Sequence, residues 1–255
     1  NLNIAQVKRK YGIIERENYN KPKSDDSRQP RCPEEKVKAM VPINREWEVK
    51  GYLFFVTKNG LCKRVPASEF ESIRQNGKIA ILLKEDDELV AVRPTLGDSQ
   101  IIIGAANGKA VRFDERGVRA MGRTASGVKG MNVDGSQVIG MCTDAEGSKI
   151  LVVSKYGYGK QTPVEEYRLT SRGAKGVKTI NINEKNGELV ALKAVNGDED
   201  CLIMTNDGII IRIHLEKVST MGRATQGVRL IKPQEGTYVS AVSLMSHSEA
   251  EETEE

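Results

Sequence analysis

Residues 52–60 read YLFFVTKNG, and the phrase returns as IIIGAANG at 101–108, ILVVSKYG at 150–157 and CLIMTNDG at 201–208. Each copy is an apolar run ending at a turn glycine: Gly60, Gly108, Gly157 and Gly208, at intervals of 48, 49 and 51 residues. A second glycine follows nineteen residues after three of them, at Gly127, Gly176 and Gly227, and seventeen after the first, at Gly77. Short β-branched and aromatic runs closed by a turn residue read as strands. Several strands in a unit of about fifty residues, repeated, predict small sheets set radially, as in a propeller. Function is therefore sought in what the four units present together.

Working outward, each unit reads strand, tight turn, strand, long basic loop, strand, acidic turn, strand. Asn59-Gly60, Asn107-Gly108 and Asp207-Gly208 predict type I′ hairpins, with positive φ at both central residues. The loops PASEFESIRQNGK (66–78) and DERGVRAMGRTASGVK (114–129) carry too much glycine and proline to be read as helices. The second turns are acidic or polar: Glu85-Asp86-Asp87, Asp134-Gly135, Glu184 to Gly187 and Gln234 to Gly236. Acidic turns and basic loops imply two different rims. Upstream, EEKVKAMVPI (34–43) matches the closing strands DELVAVRP, SQVIGMC, GELVALKAV and TYVSAVSL. Residues 33–49 thus read as the end of a preceding unit. The chain divides into a polar segment at 1–32 (a linker or a remnant of missing units), the array at 33–245, and an acidic disordered tail at 246–255. It begins at Asn1 without a methionine and is expected to be a fragment.

Composition narrows the function. Aromatic residues are only 5%, which argues against stacking platforms for single-stranded nucleic acid. Cys32, Cys62, Cys142 and Cys201 form no CxxC pair, so neither a zinc site nor a disulfide framework is expected, and a reducing cytoplasm fits. No apolar stretch long enough for a membrane span is present. His214 and His247 are the only histidines, and no Gly-Lys pair is followed by Ser or Thr, so no P-loop exists and no catalysis is expected in this chain. The formal net charge is +4, but Glu249, Glu251, Glu252, Glu254 and Glu255 lie in the tail, which leaves +9 on the rest. A basic body suggests a polyanionic partner.

The cations recur with the unit. Four residues after the turn glycine stand Arg64, Arg112, Gln161 and Arg212. Three or four before the second glycine stand Arg74, Arg123, Arg172 and Arg223. Two after it stand Lys129, Lys178 and Arg229, with Lys78 in the first unit. Lys63, Arg119, Lys160, Arg168 and Lys175 complete the candidate set. Cations at unit spacing suit a rod with regular phosphates, held through counterion release rather than base readout. The competing reading is that charged residues merely solvate exposed strands and block edge pairing.

With the repeats aligned, the chain resembles the C-terminal domain of the DNA gyrase A protein. The resemblance rests on TKNGLCKRVPASEF (57–70), IRQNGKIAILLKEDDELVAVR (73–93), GKAVRFDERGVRAMGRTASGVKG (108–130), YGYGKQTPVEEYRLTSRGAKGVKTINI (156–182) and IRIHLEKVSTMGRATQGVRLI (211–231), and spans about 33–245. It implies an all-β, six-bladed β-pinwheel of four-stranded blades that exchange strands. Four complete blades and part of another are legible here, resembling blades three to six and the end of blade two. It also implies double-stranded DNA wrapped around a basic perimeter, in support of negative supercoiling by a bacterial, cytoplasmic and nucleoid-associated A2B2 holoenzyme. The partners would be the remainder of gyrase A and gyrase B. ATP, Mg2+ and the cleavage tyrosine would belong to other parts of that assembly, leaving no cofactor here. The family's first-blade box, Gln-Arg-Arg-Gly-Gly-Lys-Gly, is absent; the nearest phrase is Ser171 to Gly176, in a later blade. Two other readings stay open: a topoisomerase IV-like module that senses DNA geometry without full wrapping, and a protein-interaction propeller.

Overall fold

The structure, a computed structural model, describes Val41, residues 50–71 and residues 77–245. The polar segment 1–32, the rest of the 33–49 phrase, Arg74 and the acidic tail lie outside the described residues. The strands are β1 (Tyr52–Thr57), β2 (Leu61–Pro66), β3 (Leu89–Thr95), β4 (Gln100–Ala105), β5 (Lys109–Asp114), β6 (Val128–Lys129), β7 (Val138–Thr143) and β8 (Lys149–Ser154). They continue with β9 (Tyr158–Pro163), β10 (Val177–Lys178), β11 (Leu189–Val195), β12 (Asp200–Thr205), β13 (Ile210–His214), β14 (Val228–Arg229) and β15 (Val239–Met245). Short 3-10 turns at Ala67–Phe70, Glu115–Gly117, Val164–Glu166 and Leu215–Lys217 open each basic loop.

Four antiparallel sheets result, in the orders β3-β1-β2-β6, β7-β4-β5-β10, β11-β8-β9-β14 and β15-β12-β13. The closing strands β3, β7, β11 and β15 contact one another in turn. At the opposite edge of each four-stranded sheet lies a two-residue strand donated by the next unit. Val128 and Lys129 pair with Cys62 and Leu61, Val177 and Lys178 with Ala110 and Lys109, and Val228 and Arg229 with Gly159 and Tyr158. The "third strand" of the second, third and fourth sequence units therefore belongs to the preceding unit's sheet. The last sheet has three strands, and among the described residues nothing pairs with the outer edge of β13.

Three apolar clusters lie between consecutive sheets. Ile101 and Ile103 face Phe54, Val56 and Cys62, while Ile102 between them faces Ile150, Val152 and Tyr167. A strand covered on both faces has no polar side to show, which is why IIIGAA reads as an unbroken apolar run. Each such aliphatic residue, fully buried, stabilises by about 1.5–3 kcal/mol. β13 is the contrast: its residues alternate between exposed and half-buried.

The hairpins are not of type I′. In each, the glycine N–H donates to the carbonyl three residues back, as from Gly60 to Thr57 and from Gly157 to Ser154, and the glycine alone takes positive φ (82° and 79°). This is a type I turn followed by a left-handed glycine. The glycine is needed twice over, because a Cβ on Gly157 would lie 2.3 Å from the Ile231 carbonyl of the next unit. The predicted pair of positive φ values occurs instead at Asp134 (54°) and Gly135 (78°), the turn before β7.

Candidate nucleic-acid interface

The structure sorts the three cation registers by what they touch. In the first, Arg112 Nη1 donates to the Val164 and Tyr167 carbonyls at 2.8 and 3.1 Å. Gln161 Nε2 donates to the Leu215 and Val218 carbonyls at 2.7 and 2.9 Å. The apparent exception to the basic pattern thus does the same work: each side chain caps the 3-10 turn of the following unit. Arg64 is largely buried, 4.4 Å above the Tyr52 ring and 3.6 Å from the Glu115 carboxylate. In the last unit Arg212 turns back on its own sheet, 2.6 Å from the buried Asp200 carboxylate, which His214 also bonds. Burial pushes that carboxyl up, but the hydrogen bonds from Arg212 and His214 outweigh it and hold Asp200 below its ordinary range.

The second register clamps the donated strands. Arg172 Nη1 reaches the Lys129 carbonyl at 3.2 Å and Arg223 Nη1 the Lys178 carbonyl at 3.1 Å. Arg123 makes the same contact to the Ile79 carbonyl at 3.2 Å. Ile79 thereby holds, in the first unit, the place of Lys129 and Lys178. Each of these guanidinium groups thus commits part of its five N–H donors to a carbonyl of the preceding unit.

Lys63 and Lys160 correct the sequence reading. Both are fully buried and offer no surface charge to phosphate. Lys63 Nζ donates to the carbonyls of Ala80, Gly122, Arg123 and Ala125 at 2.9, 3.1, 2.6 and 2.9 Å. Lys160 Nζ bonds the Gly222 carbonyl, the Arg223 carbonyl at 2.6 Å and Thr225 Oγ1 at 3.0 Å. Each ammonium gathers the loop of the next unit. Burial, reinforced by Arg123, pulls Lys63 down to about 8. Lys160 also falls to about 8, chiefly through burial, with Glu166 opposing and Arg223 adding to the drop. A signal existed in the sequence: Lys63 and Lys160 precede the units whose loops read Met-Gly-Arg, at 121–123 and 221–223, whereas Val111 precedes the Ser171-Arg172-Gly173 loop.

The third register is exposed in three units, and of the second only Arg172, among the described residues, is exposed as well. Lys129, Lys178 and Arg229 stand exposed on the outermost strands of three successive sheets. Lys129 and Lys178 have no ion-pair partner among the described residues. Arg229 lies 5.2 Å over the Tyr158 ring and donates to its hydroxyl at 2.8 Å. Lys78, half-buried, turns to the Glu69 carbonyl. Arg119 and Arg168 are exposed just after their 3-10 turns. Lys175 is exposed too, but it pairs with Asp134 at 3.1 Å, so this acidic turn lies against a basic loop rather than on a separate rim. Beside Arg229, a shallow depression of roughly 310 Å³ is lined by Tyr156, Tyr158, Lys185 and Lys232. Lys185 and Lys232 escaped the sequence reading because they fall outside the repeating positions.

Among the described residues no group of three His, Cys, Asp or Glu side chains is placed to hold a metal ion, and no helix is long and apolar enough to cross a membrane. Cys62, Cys142 and Cys201 are buried free thiols, and burial pushes Cys62 and Cys201 up to about 12.

Comparison with known proteins matches these geometric units to a family model described as "DNA gyrase C-terminal domain, beta-propeller", over residues 51–95, 99–141, 148–196 and 199–243. The gyrase A protein of Staphylococcus epidermidis is 46% identical over 219 residues, 85% of this chain and 24% of that protein. Its Staphylococcus aureus counterpart is 44% identical over 225 residues, 87% of this chain and 25% of that protein. The chain thus spans about a quarter of the length of these curated relatives. A solved DNA gyrase A C-terminal domain superposes with a TM-score of 0.70 at 26% identity, covering 77% of this chain and 66% of that one. The C-terminal domain of a DNA topoisomerase IV shares the fold with a TM-score of 0.74 at 24% identity, over 83% of this chain and 69% of that one.

Proposed function

The chain belongs to the DNA gyrase A C-terminal domain family, and from that premise we propose that it binds double-stranded DNA along its outer edge and bends it there. One observation carries the reading: Lys129, Lys178 and Arg229 recur on the outermost strand of consecutive sheets. Arg119 and Arg168 add exposed charge in two of those units. A duplex following that edge meets a cation on each of three successive sheets. Affinity then comes from phosphate neutralisation and is indifferent to sequence. Bending 20–30 base pairs by 40–90° costs on the order of 1–6 kcal/mol, so contacts must be spread over several units. Arg64, Arg112, Arg123, Arg172, Arg212 and Arg223 serve mainly to hold the array rigid against that bending force.

In this reading the chain is a non-catalytic part of a bacterial, cytoplasmic gyrase. Wrapping would set the handedness of the DNA crossing offered to the remainder of gyrase A and to gyrase B, where ATP, Mg2+ and the cleavage chemistry belong. The test is topological: nicked plasmid is religated with increasing amounts of the chain, then deproteinised and resolved by linking number. A progressive shift of linking number in one direction supports wrapping. Binding without any shift would reduce the function to attachment alone.

A further inference from the structure

Tyr156 and Tyr238 are each 41% exposed, whereas the other tyrosine and phenylalanine rings among the described residues are half-buried or buried. Both exposed rings stand at one junction, between the third and fourth units, beside the depression next to Arg229. Tyr156 lines that depression with Tyr158, and Tyr238 follows the lining residue Thr237. A composition of 5% aromatic argues against stacking surface spread over the whole array, but what there is has gathered in one place.

The turn chemistry explains how position 156 came to be available. In the first two units the same place holds Asn59 and Asn107, whose Nδ2 groups donate to the Asp86 carbonyl at 3.5 Å and to the Val133 carbonyl at 3.2 Å. Those side chains tie the hairpin to the acidic turn of their own unit. Tyr156 cannot make that bond. In the third unit the turn is closed from within, by buried Asn186, whose Nδ2 donates to the Asn181 carbonyl at 2.8 Å and whose Oδ1 accepts from the Asn183 N–H at 2.8 Å. The ring of Tyr156 rests instead on Gly187, where a Cβ would stand 3.0 Å from its Cδ2 and Cε2. The first two units have Leu61 and Lys109 where Tyr158 stands, so neither carries an aromatic pair at this place.

Charge accompanies the rings. Lys155 Nζ lies 6.0 Å from the Tyr156 ring centre and 5.2 Å from that of Tyr238, and Arg229 lies 5.2 Å from that of Tyr158. Around the depression Lys185, Arg229 and Lys232 face a single carboxylate, Glu235. Aromatic faces set among cations hold unpaired nucleotides, the rings through base stacking and the cations through phosphate.

We propose that this depression binds a nucleotide with an unpaired base, stacked on Tyr156, with its phosphate held by Lys185, Lys232 and Arg229. The site shares Arg229 with the edge assigned to the duplex but does not rest on that reading. Stacking needs an open base face, which a paired duplex does not offer, so the two ligands are told apart by Tyr156.

The experiment is fluorescence anisotropy of the chain with a labelled oligothymidylate, with an oligomer of the same length that lacks bases, and with a mixed-sequence duplex. The oligothymidylate should bind about fivefold or more tightly than the base-free oligomer. Tyr156→Asn places there the residue type that the first two units carry, and should abolish that preference while duplex affinity and the urea midpoint stay unchanged. Lys185→Ala, an exposed change outside the hairpin, should make the salt slope for the oligothymidylate shallower by about 0.7. Displacement of the oligomer by thymidine monophosphate would support the site and identify a free nucleotide as its ligand. Resistance to displacement, with the base preference present, would support it for a strand. Equal binding of the two oligomers overturns the proposal whether or not the duplex binds, and so does a base preference that survives in Tyr156→Asn.

Discussion

Replacing Lys129, Lys178 and Arg229 together with alanine separates a phosphate-binding edge from incidental surface charge. The three side chains are exposed, one on each of three consecutive sheets, and among the described residues Arg229 alone of the three makes a side-chain hydrogen bond, to Tyr158. If each neutralises one phosphate, each contributes about −0.9 to the slope of log affinity against log salt. Between 50 and 200 mM salt that is about 3.5-fold per contact and about 40-fold for the three. The triple variant should therefore show a slope shallower by about 2.7, with stability nearly unchanged, because exposed substitutions of this kind usually stay within about 0.5 kcal/mol. The assay is fluorescence anisotropy of a labelled mixed-sequence duplex at several salt concentrations, beside a urea melt of each protein. Arg112→Ala is the control. Its guanidinium is held by two carbonyls of the next unit, so it should lower the urea midpoint and leave the slope largely intact. An unaltered slope in the triple variant would refute the assignment of the outer strands to phosphate.

Three further outcomes follow from the inter-unit contacts. Lys63→Met removes the ammonium that gathers four loop carbonyls, of which those of Ala80 and Arg123 lose the donor described for them, and should lower stability by about 2–4 kcal/mol in a urea melt, with the salt slope of DNA binding unchanged. The pH response is set by the depressed lysines. Lys63 and Lys160 ionise near 8 when folded, against an ordinary 10.5, so the unfolded chain holds more protons between those values. Their contribution to stability therefore rises with pH from about 8 to 10.5, and a Lys63→Met/Lys160→Met variant should lack that rise in paired melts at pH 7.5 and 10. Gly157→Ala should destabilise far more than Gly208→Ala, although both have positive φ. Only Gly157 faces a neighbouring carbonyl, so the Gly208 variant suffers the backbone strain of about 1 kcal/mol alone. Equal midpoints for the two would contradict the junction geometry.

The sequence carried the fold a long way because the architecture is periodic. Four apolar runs ending in glycine set the number of units, whereas only the structure shows that the IIIGAA strand is covered on both faces. The turn type was misjudged because Asn-Gly favours type I′ only in a two-residue loop. Here all four hairpins, including the one at Gly208 that no described neighbouring unit touches, place positive φ on the glycine alone. The longer type I loop is thus a property of the hairpin itself, and the neighbouring backbone at Gly60, Gly108 and Gly157 only adds a second reason for glycine.

The candidate interface was legible in outline and blurred in detail. Recurrence of one charge sign marked positions under a common demand, but periodicity is blind to whether that demand comes from a ligand or from the neighbouring unit. Gln161 was the hint, since a residue without charge fills the place of Arg112 and meets the same kind of carbonyl pair. Composition and spacing by themselves determined a repeated β array with excess positive charge, because both are properties of residue order and count. Which lysines face solvent, and which lie buried under a neighbour's loop, was decided only when successive units exchanged strands. That exchange brings together residues some sixty positions apart, such as Lys63 and Ala125, whose contact no local pattern encodes.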